Sequence, residues 1–234
     1  MEIIIQSDAN AASRLVARLV ARELKARPAL VLGLATGRTL EPVYRLLVDL
    51  HRQEGLDFSL CRTFNLDEFV GLPPEHPGSS RQYMHENLFR HVNIDRRNTQ
   101  LPNGLASDLP GECERYEAAM RRAGGIDLQL TGIGRAGDIG FNEPLSALRS
   151  RTRVKALTPA TIALNATRFG RADQVPRRAV TEGVGTILDS RRCVLLATGA
   201  EKAEIVARVT EGVVTSLIAA TALQFHPRCT IVVD

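Results

Sequence analysis

The 234-residue chain has no tryptophan, and aromatic residues make up only 4% of it. A surface that grips bases or sugar rings mainly by stacking is therefore excluded as its principal binding device. No apolar run approaches membrane-spanning length, and the N-terminus lacks the basic-then-apolar order of a secretory leader. A cytoplasmic protein without a membrane partner is the expectation. The four cysteines, Cys61, Cys113, Cys193 and Cys229, form no Cys-x-x-Cys pair. Cys61, Cys193 and Cys229 each open an apolar run, so buried reduced thiols are expected.

A strong charge of either sign is also missing. Lys and Arg number 30 against 26 Asp and Glu, a net charge of +4. That balance suits a small anion, whereas the Arg-Arg pairs at 96–97, 121–122, 177–178 and 191–192 are scattered rather than gathered into a nucleic-acid stripe. Hydrophobic residues at 44% and charged residues at 24% give an ordinary globular composition. The length fits one large domain, taken as residues 1–234, and no linker or repeat interrupts it.

What is present is an alternation of short β-rich runs with segments of helical period. Glu2–Gln6, Ala29–Leu34, Arg62–Leu66, Ile126–Thr131, Arg153–Leu157, Cys193–Thr198 and Thr230–Val233 read as strands. Asp8 reads as an N-cap before a helix whose face carries Leu15, Val16, Leu19 and Val20. Further helices are expected around Val43–Leu50, over Glu201–Val209 and near Ser216–Leu223. Strands apolar on both faces and separated by helices predict an α/β fold of three layers, a mainly parallel sheet flanked by helices. The stretches 68–80 and 132–150 are long for simple connections, and long ordered loops are often functional.

Four constellations could carry chemistry. Thr36-Gly37-Arg38-Thr39 follows the second strand and opens a helix. Free backbone N–H groups, two hydroxyls and a guanidinium there suit a phosphate, although ordinary capping explains the same residues. Asp67-Glu68 ends the third strand, and either a crevice-facing general base or an exposed strand end accounts for it. Residues 132–140 hold four glycines, allowing close backbone approach to a ligand. Phe141-Asn142-Glu143-Pro144 then stands where the long helix of a dinucleotide-binding motif would run, and Asp138 and Glu143 add two acids. Finally, Gly199-Ala200-Glu201-Lys202 repeats the order strand, glycine, helix start, cation; a surface lysine is the competing reading. No His or third carboxylate accompanies Asp67-Glu68 at ligand spacing, so no metal is expected. No cofactor is called for.

Together these motifs resemble the glucosamine-6-phosphate deaminase/isomerase family of the 6-phosphogluconolactonase-like superfamily. The resemblance runs through Thr63–Leu72, Gly140–Pro144, Val175-Pro176, Ala179–Thr181, Gly183–Thr186 and Leu223–Pro227. It implies a modified Rossmann-like single domain and an enzyme turning glucosamine 6-phosphate and water into fructose 6-phosphate and ammonia. The residue matching Asp67 moves a proton between C2 and C1 of the open-chain sugar, and the one matching Glu143 belongs to the ring-opening machinery. Phosphate contacts fall on Thr36, Gly37, Arg38, Thr39 and Lys202, with Arg168 as a further candidate despite a local spacing one residue longer than usual. The partner implied is a small sugar phosphate, and the family association favours a homo-oligomer.

The glycine loop departs from that pattern. Ala136 and Asp138 stand where the family carries an Asp and the ring-opening His. An imidazole titrates near neutrality and a carboxylate ordinarily does not. For Asp138 to substitute, its pKa must rise, and a neighbouring Glu143 charge provides one means. His85 or His226 approaching the crevice provides another route. The alternatives are an isomerase or lactonase acting on a different sugar phosphate, or a catalytically impaired sugar-phosphate sensor. The chain ends soon after its last predicted strand, so the family's intersubunit allosteric site is not expected, although Arg153 and Lys155 match basic residues of it.

Overall fold

The computed structural model describes all residues from Met1 to Asp234. Its elements run β1 (Glu2–Ile5), α1 (Ala9–Ala26), β2 (Val31–Leu34), α2 (Glu41–Glu54), β3 (Arg62–Asn65), β4 (Asp67–Phe69), α3 (Ser80–Asn87), β5 (Thr99–Gln100) and α4 (Leu109–Arg122). There follow β6 (Leu128–Gly132), β7 (Arg153–Ala156), α5 (Pro159–Phe169), β8 (Arg178–Thr181), α6 (Val184–Leu188), β9 (Cys193–Ala197), α7 (Ala203–Glu211) and β10 (Cys229–Val233).

Asp8 caps α1 as expected, its carboxylate accepting the Ala11 N–H at 2.8 Å. Residues spaced three and four apart, Ala12, Val16, Leu19, Val20 and Leu24, form the buried stripe of that helix. Pro42 sits in the first turn of α2, where its missing N–H has no intrahelical partner to lose.

Seven strands form one wholly parallel sheet in the order β1-β10-β9-β6-β2-β3-β5. All four residues of β2 are buried. Leu32 and Leu34 join the main core with α1 and α2, while Val31 packs with Phe64, Tyr116 and Met120 on the α4 side. Alternate residues thus serve opposite faces, which is the three-layer arrangement expected. All four cysteines are buried and free.

The chain first moves outward from β2 through β3 to β5, then returns to β6 and proceeds through β9 to β10, which pairs with the edge strand β1. That reversal opens a crevice at the carboxyl ends of β2 and β6, the usual ligand position in open α/β sheets.

Two expectations need correction. The strand at Arg153 belongs to a separate antiparallel sheet, β4-β8-β7, which covers the crevice end of the molecule. No α-helix spans Ser216–Leu223; Thr215 and Ile218 bridge, and Ala219–Phe225 is a 3-10 turn. The Thr221 hydroxyl donates to Ile218 O at 2.7 Å and accepts the Thr215 N–H at 2.9 Å, which ties the segment into a local loop.

Candidate active site

Two strand ends turn in the same way. After β2, Gly37 takes φ 135°, ψ 153°, and a 3-10 turn over Arg38–Leu40 leads into α2. After β9, Gly199 takes φ 93°, ψ 140°, and a 3-10 turn over Ala200–Lys202 leads into α7. Side-chain-bearing residues rarely adopt either conformation, which accounts for glycine at both positions. Each turn closes similarly: Leu40 N–H donates to Gly37 O at 3.0 Å, and Lys202 N–H to Gly199 O at 2.9 Å. Both direct a helix start, with its free N–H groups, toward the carboxyl end of the sheet.

Between them lies a cleft of about 1000 Å³. Gly37, Arg38 and Thr39 line it from the first turn, and Lys202 from the second. Arg168 enters from α5, and Arg135 from the glycine loop. Thr36, just before Gly37, is half-buried and is not part of the cleft lining. Sequence reasoning also passed over Arg135, although a guanidinium at the tip of a glycine loop was the available signal. Facing these four cations are Glu41, Glu86 and Glu201, so the cleft carries an excess of positive charge.

Two of these cations are held in place. Lys202 Nζ donates to Ile133 O at 2.8 Å, tying its helix start to the glycine loop. Burial lowers its pKa, against the opposing pull of Asp138 and Glu201. The Arg168 guanidinium donates to Ser79 O at 2.8 Å and lies 5.5 Å from the Tyr83 ring centre and 5.8 Å from that of Phe69. Tyr83 in turn donates its hydroxyl to Gly37 O at 2.8 Å. One aromatic side chain therefore connects the first turn to the arginine across the cleft.

Asp67 and Glu68, adjacent in sequence, do different things. Glu68 accepts the N–H groups of Phe69 and Ser80 at 2.8 and 2.9 Å and that of Arg81 at 3.0 Å. It satisfies the first turn of α3 and has a structural task. Asp67, 6% exposed, accepts only the Ser80 hydroxyl, at 3.3 Å. Burial pushes its carboxyl up to about 7, with the Glu68 charge adding to this and Arg168 opposing it. A carboxylate that titrates near neutrality is suited to exchange protons with carbon acids.

The glycine loop folds over Asp67. Gly140, at φ 58°, sits where an added β-carbon would meet Thr181 Oγ1 at 2.9 Å and Asp67 Oδ2 at 3.5 Å. Phe141 N–H donates to Thr181 Oγ1 at 3.1 Å, and Asn142 Nδ2 donates to Glu182 O at 2.9 Å. Glu143 is buried and accepts the N–H and hydroxyl of Thr158, at 3.1 and 3.2 Å, at the start of α5. It thereby ties the loop to the helix that carries Arg168.

Asp138 is half-buried, and its pKa is raised. Burial is the main cause; Glu143 reinforces it while the loop's own N–H groups and Lys202 oppose it. The expected direction is present, but Glu143 is the lesser contributor. Ala136 is exposed. Asp67 is buried close to Arg168 of the cleft, and half-buried Asp138 is close to Lys202.

No histidine reaches the cleft. His226 is buried with its ring against Ser190 O at 2.8 Å, near the starts of β9 and β10, at the opposite end of the sheet. His85 lies on α3, which presents Gln82, Tyr83, Glu86 and Asn87 to the cleft instead. No three His, Cys, Asp or Glu side chains converge as metal ligands would.

A glucosamine-6-phosphate deaminase from Thermoanaerobacter pseudethanolicus is 44% identical over all of this chain and 92% of that protein. Among solved structures, a monomeric glucosamine-6-phosphate deaminase superposes with TM-score 0.98 at 42% identity, over all of this chain and 97% of that one. A 6-phosphogluconolactonase from Trypanosoma cruzi shares the fold alone, with TM-score 0.77 at 19% identity over all of this chain and 94% of that one. Residues 6–229 match the family described as glucosamine-6-phosphate isomerases/6-phosphogluconolactonase, and the chain belongs to it.

Proposed function

We propose that the protein is a glucosamine-6-phosphate deaminase, converting glucosamine 6-phosphate and water to fructose 6-phosphate and ammonia. The observation that carries this reading is the buried Asp67 carboxyl, close to Arg168 of a cation-lined cleft, where burial raises its pKa to about 7. Relatives that bear this activity match the whole chain, and residues 1–234 act as one catalytic domain.

Arg38, Thr39, Arg168 and Lys202, with the N–H groups after Gly37, hold the phosphate. The pyranose opens as a proton moves from the C1 hydroxyl to the ring oxygen, with Asp138 as the acid and Glu143 positioning the loop. Asp67 takes the C2 proton of the open-chain sugar as the C1 oxygen takes one from water, leaving an enolamine; Asp67 then returns its proton to C1 as the amine nitrogen gives one back to water. The resulting C2 imine adds water and releases ammonia. Each proton removed is replaced, and no oxidant or reductant enters.

A panel of glucosamine 6-phosphate, unphosphorylated glucosamine and 6-phosphogluconolactone tests the assignment. Turnover of the first alone, with ammonia released, is expected. Hydrolysis of the lactone with no ammonia from the amino sugar contradicts it.

A further inference from the structure

Behind Asp67 lies a second acid that the proposed chemistry does not use. Glu182 follows β8, and its backbone N–H donates to Leu66 O at 2.7 Å, one residue before Asp67. Its neighbour Thr181 stands opposite Asp67 in the β4–β8 ladder. The Glu182 side chain is 0% exposed, and neither carboxylate oxygen has a hydrogen-bond partner. An ionised carboxylate in that position carries a large desolvation cost with nothing to offset it.

The surrounding charges favour the neutral form. Asp67 on β4 and Glu117 on α4 face it as acids, and Arg151, before β7, is the one facing cation. Arg151 is already committed to Glu117 at 2.6 Å and Asp189 at 2.5 Å. Glu117 has its own partners: Thr152 N–H at 2.9 Å, the Thr152 hydroxyl at 2.7 Å and the Thr186 hydroxyl at 2.6 Å. Tyr116, also facing Glu182, gives its hydroxyl to Asn65 O at 2.8 Å. Arg153, on β7 across from Thr181, donates to Ser146 Oγ at 3.2 Å. Burial holds the Glu182 carboxyl well above the carboxylate range, and the Glu117 and Asp67 charges push it further.

We propose that Glu182 is a positioning residue for Asp67: a buried carboxyl kept protonated so that no unpaired negative charge competes with Asp67 from the end of the strand paired with β4. Ionisation of Glu182 adds an unpaired buried charge that opposes both the substrate phosphate and the anionic character that develops on C2. Glu182 thereby sets the alkaline limit of the reaction, and Asp67 sets the acid limit. This inference rests on the reading of Asp67 as the base.

The test compares pH profiles of kcat/KM for the wild type and E182Q, which mimics the protonated acid. The wild type is expected to lose roughly tenfold per pH unit beyond its alkaline limit. E182Q is expected to lack that decline while its acid limb stays in place. Superimposable alkaline limbs, or an acid limb moved instead, overturn the proposal.

Thermal melting gives a second measurement that needs no turnover. A carboxyl whose pKa is raised by folding contributes stability that is present below its unfolded pKa and lost as pH rises toward its folded one. The wild type and E182Q should therefore melt alike near pH 4, and the wild type should fall progressively behind as pH rises. A pH-independent difference, or an E182Q protein unfolded where the wild type is folded, contradicts a protonated Glu182. If instead D67N keeps full activity, the base assignment fails, while the melting comparison still reads the state of Glu182.

Discussion

Thr181 stands opposite Asp67 in the β4–β8 ladder, and its hydroxyl accepts the N–H of Phe141 at 3.1 Å. The strand beside the proposed base therefore also anchors the loop that closes over it. Burial of Asp67 depends on that attachment, and its raised pKa depends on the burial.

The acid limb of kcat/KM should follow Asp67. The base acts when ionised, so activity should rise with pH through about 7. Its stability effect has the opposite sense. Stability from the protonated form is present below the unfolded value near 3.9 and is lost as pH rises through about 7. D67N should melt above the wild type at pH 8 and converge with it near pH 4. A wild-type acid limb near pH 4 contradicts the assignment.

Phosphate recognition should divide from chemistry in the kinetics. Charged hydrogen bonds contribute about 1.5–3 kcal/mol each, or roughly ten- to 150-fold. R168A and K202A should raise KM within that range and change kcat much less. A fall in kcat at constant KM in both variants speaks against phosphate binding by these residues.

Asp138 offers a test of ring opening. D138N keeps the shape and loses the ionisable proton. It should lower kcat by roughly 10²–10⁴, the usual contribution of a positioned acid or base. Replacing the pair as A136D/D138H should supply an imidazole and shift the pH dependence of kcat toward its titration. Wild-type kinetics in D138N place the ring-opening acid elsewhere.

Glu68 should behave as a structural residue. E68A strips three N–H groups, two of them buried, of their acceptor. A loss of about 1–3 kcal/mol is expected, visible as a lowered Tm with residual activity in the folded fraction. An unchanged Tm contradicts the role in α3.

The parallel sheet was legible because Ala29–Leu34 and Cys193–Thr198 are apolar runs placed before glycine-bearing helix starts. The same order predicted the matched turns at Gly37 and Gly199. The antiparallel sheet was not, since β4 is only three residues long and pairs with residues as distant as Ala179 and Thr181. Local pattern does not report such pairing. The split between Asp67 and Glu68 was hidden for a similar reason: Glu68 is claimed by backbone N–H groups 12 and 13 residues on. Glu182 gave no signal, because an acid after a short strand reads as surface until the fold encloses it.

The most direct test is the stoichiometry of ammonia and fructose 6-phosphate formed from glucosamine 6-phosphate at pH 8 by wild type and D67N. Equimolar products from the wild type are predicted, with the rate lowered by at least about 10² in D67N. No ammonia from the wild type, or equal rates from the two proteins, contradicts the account.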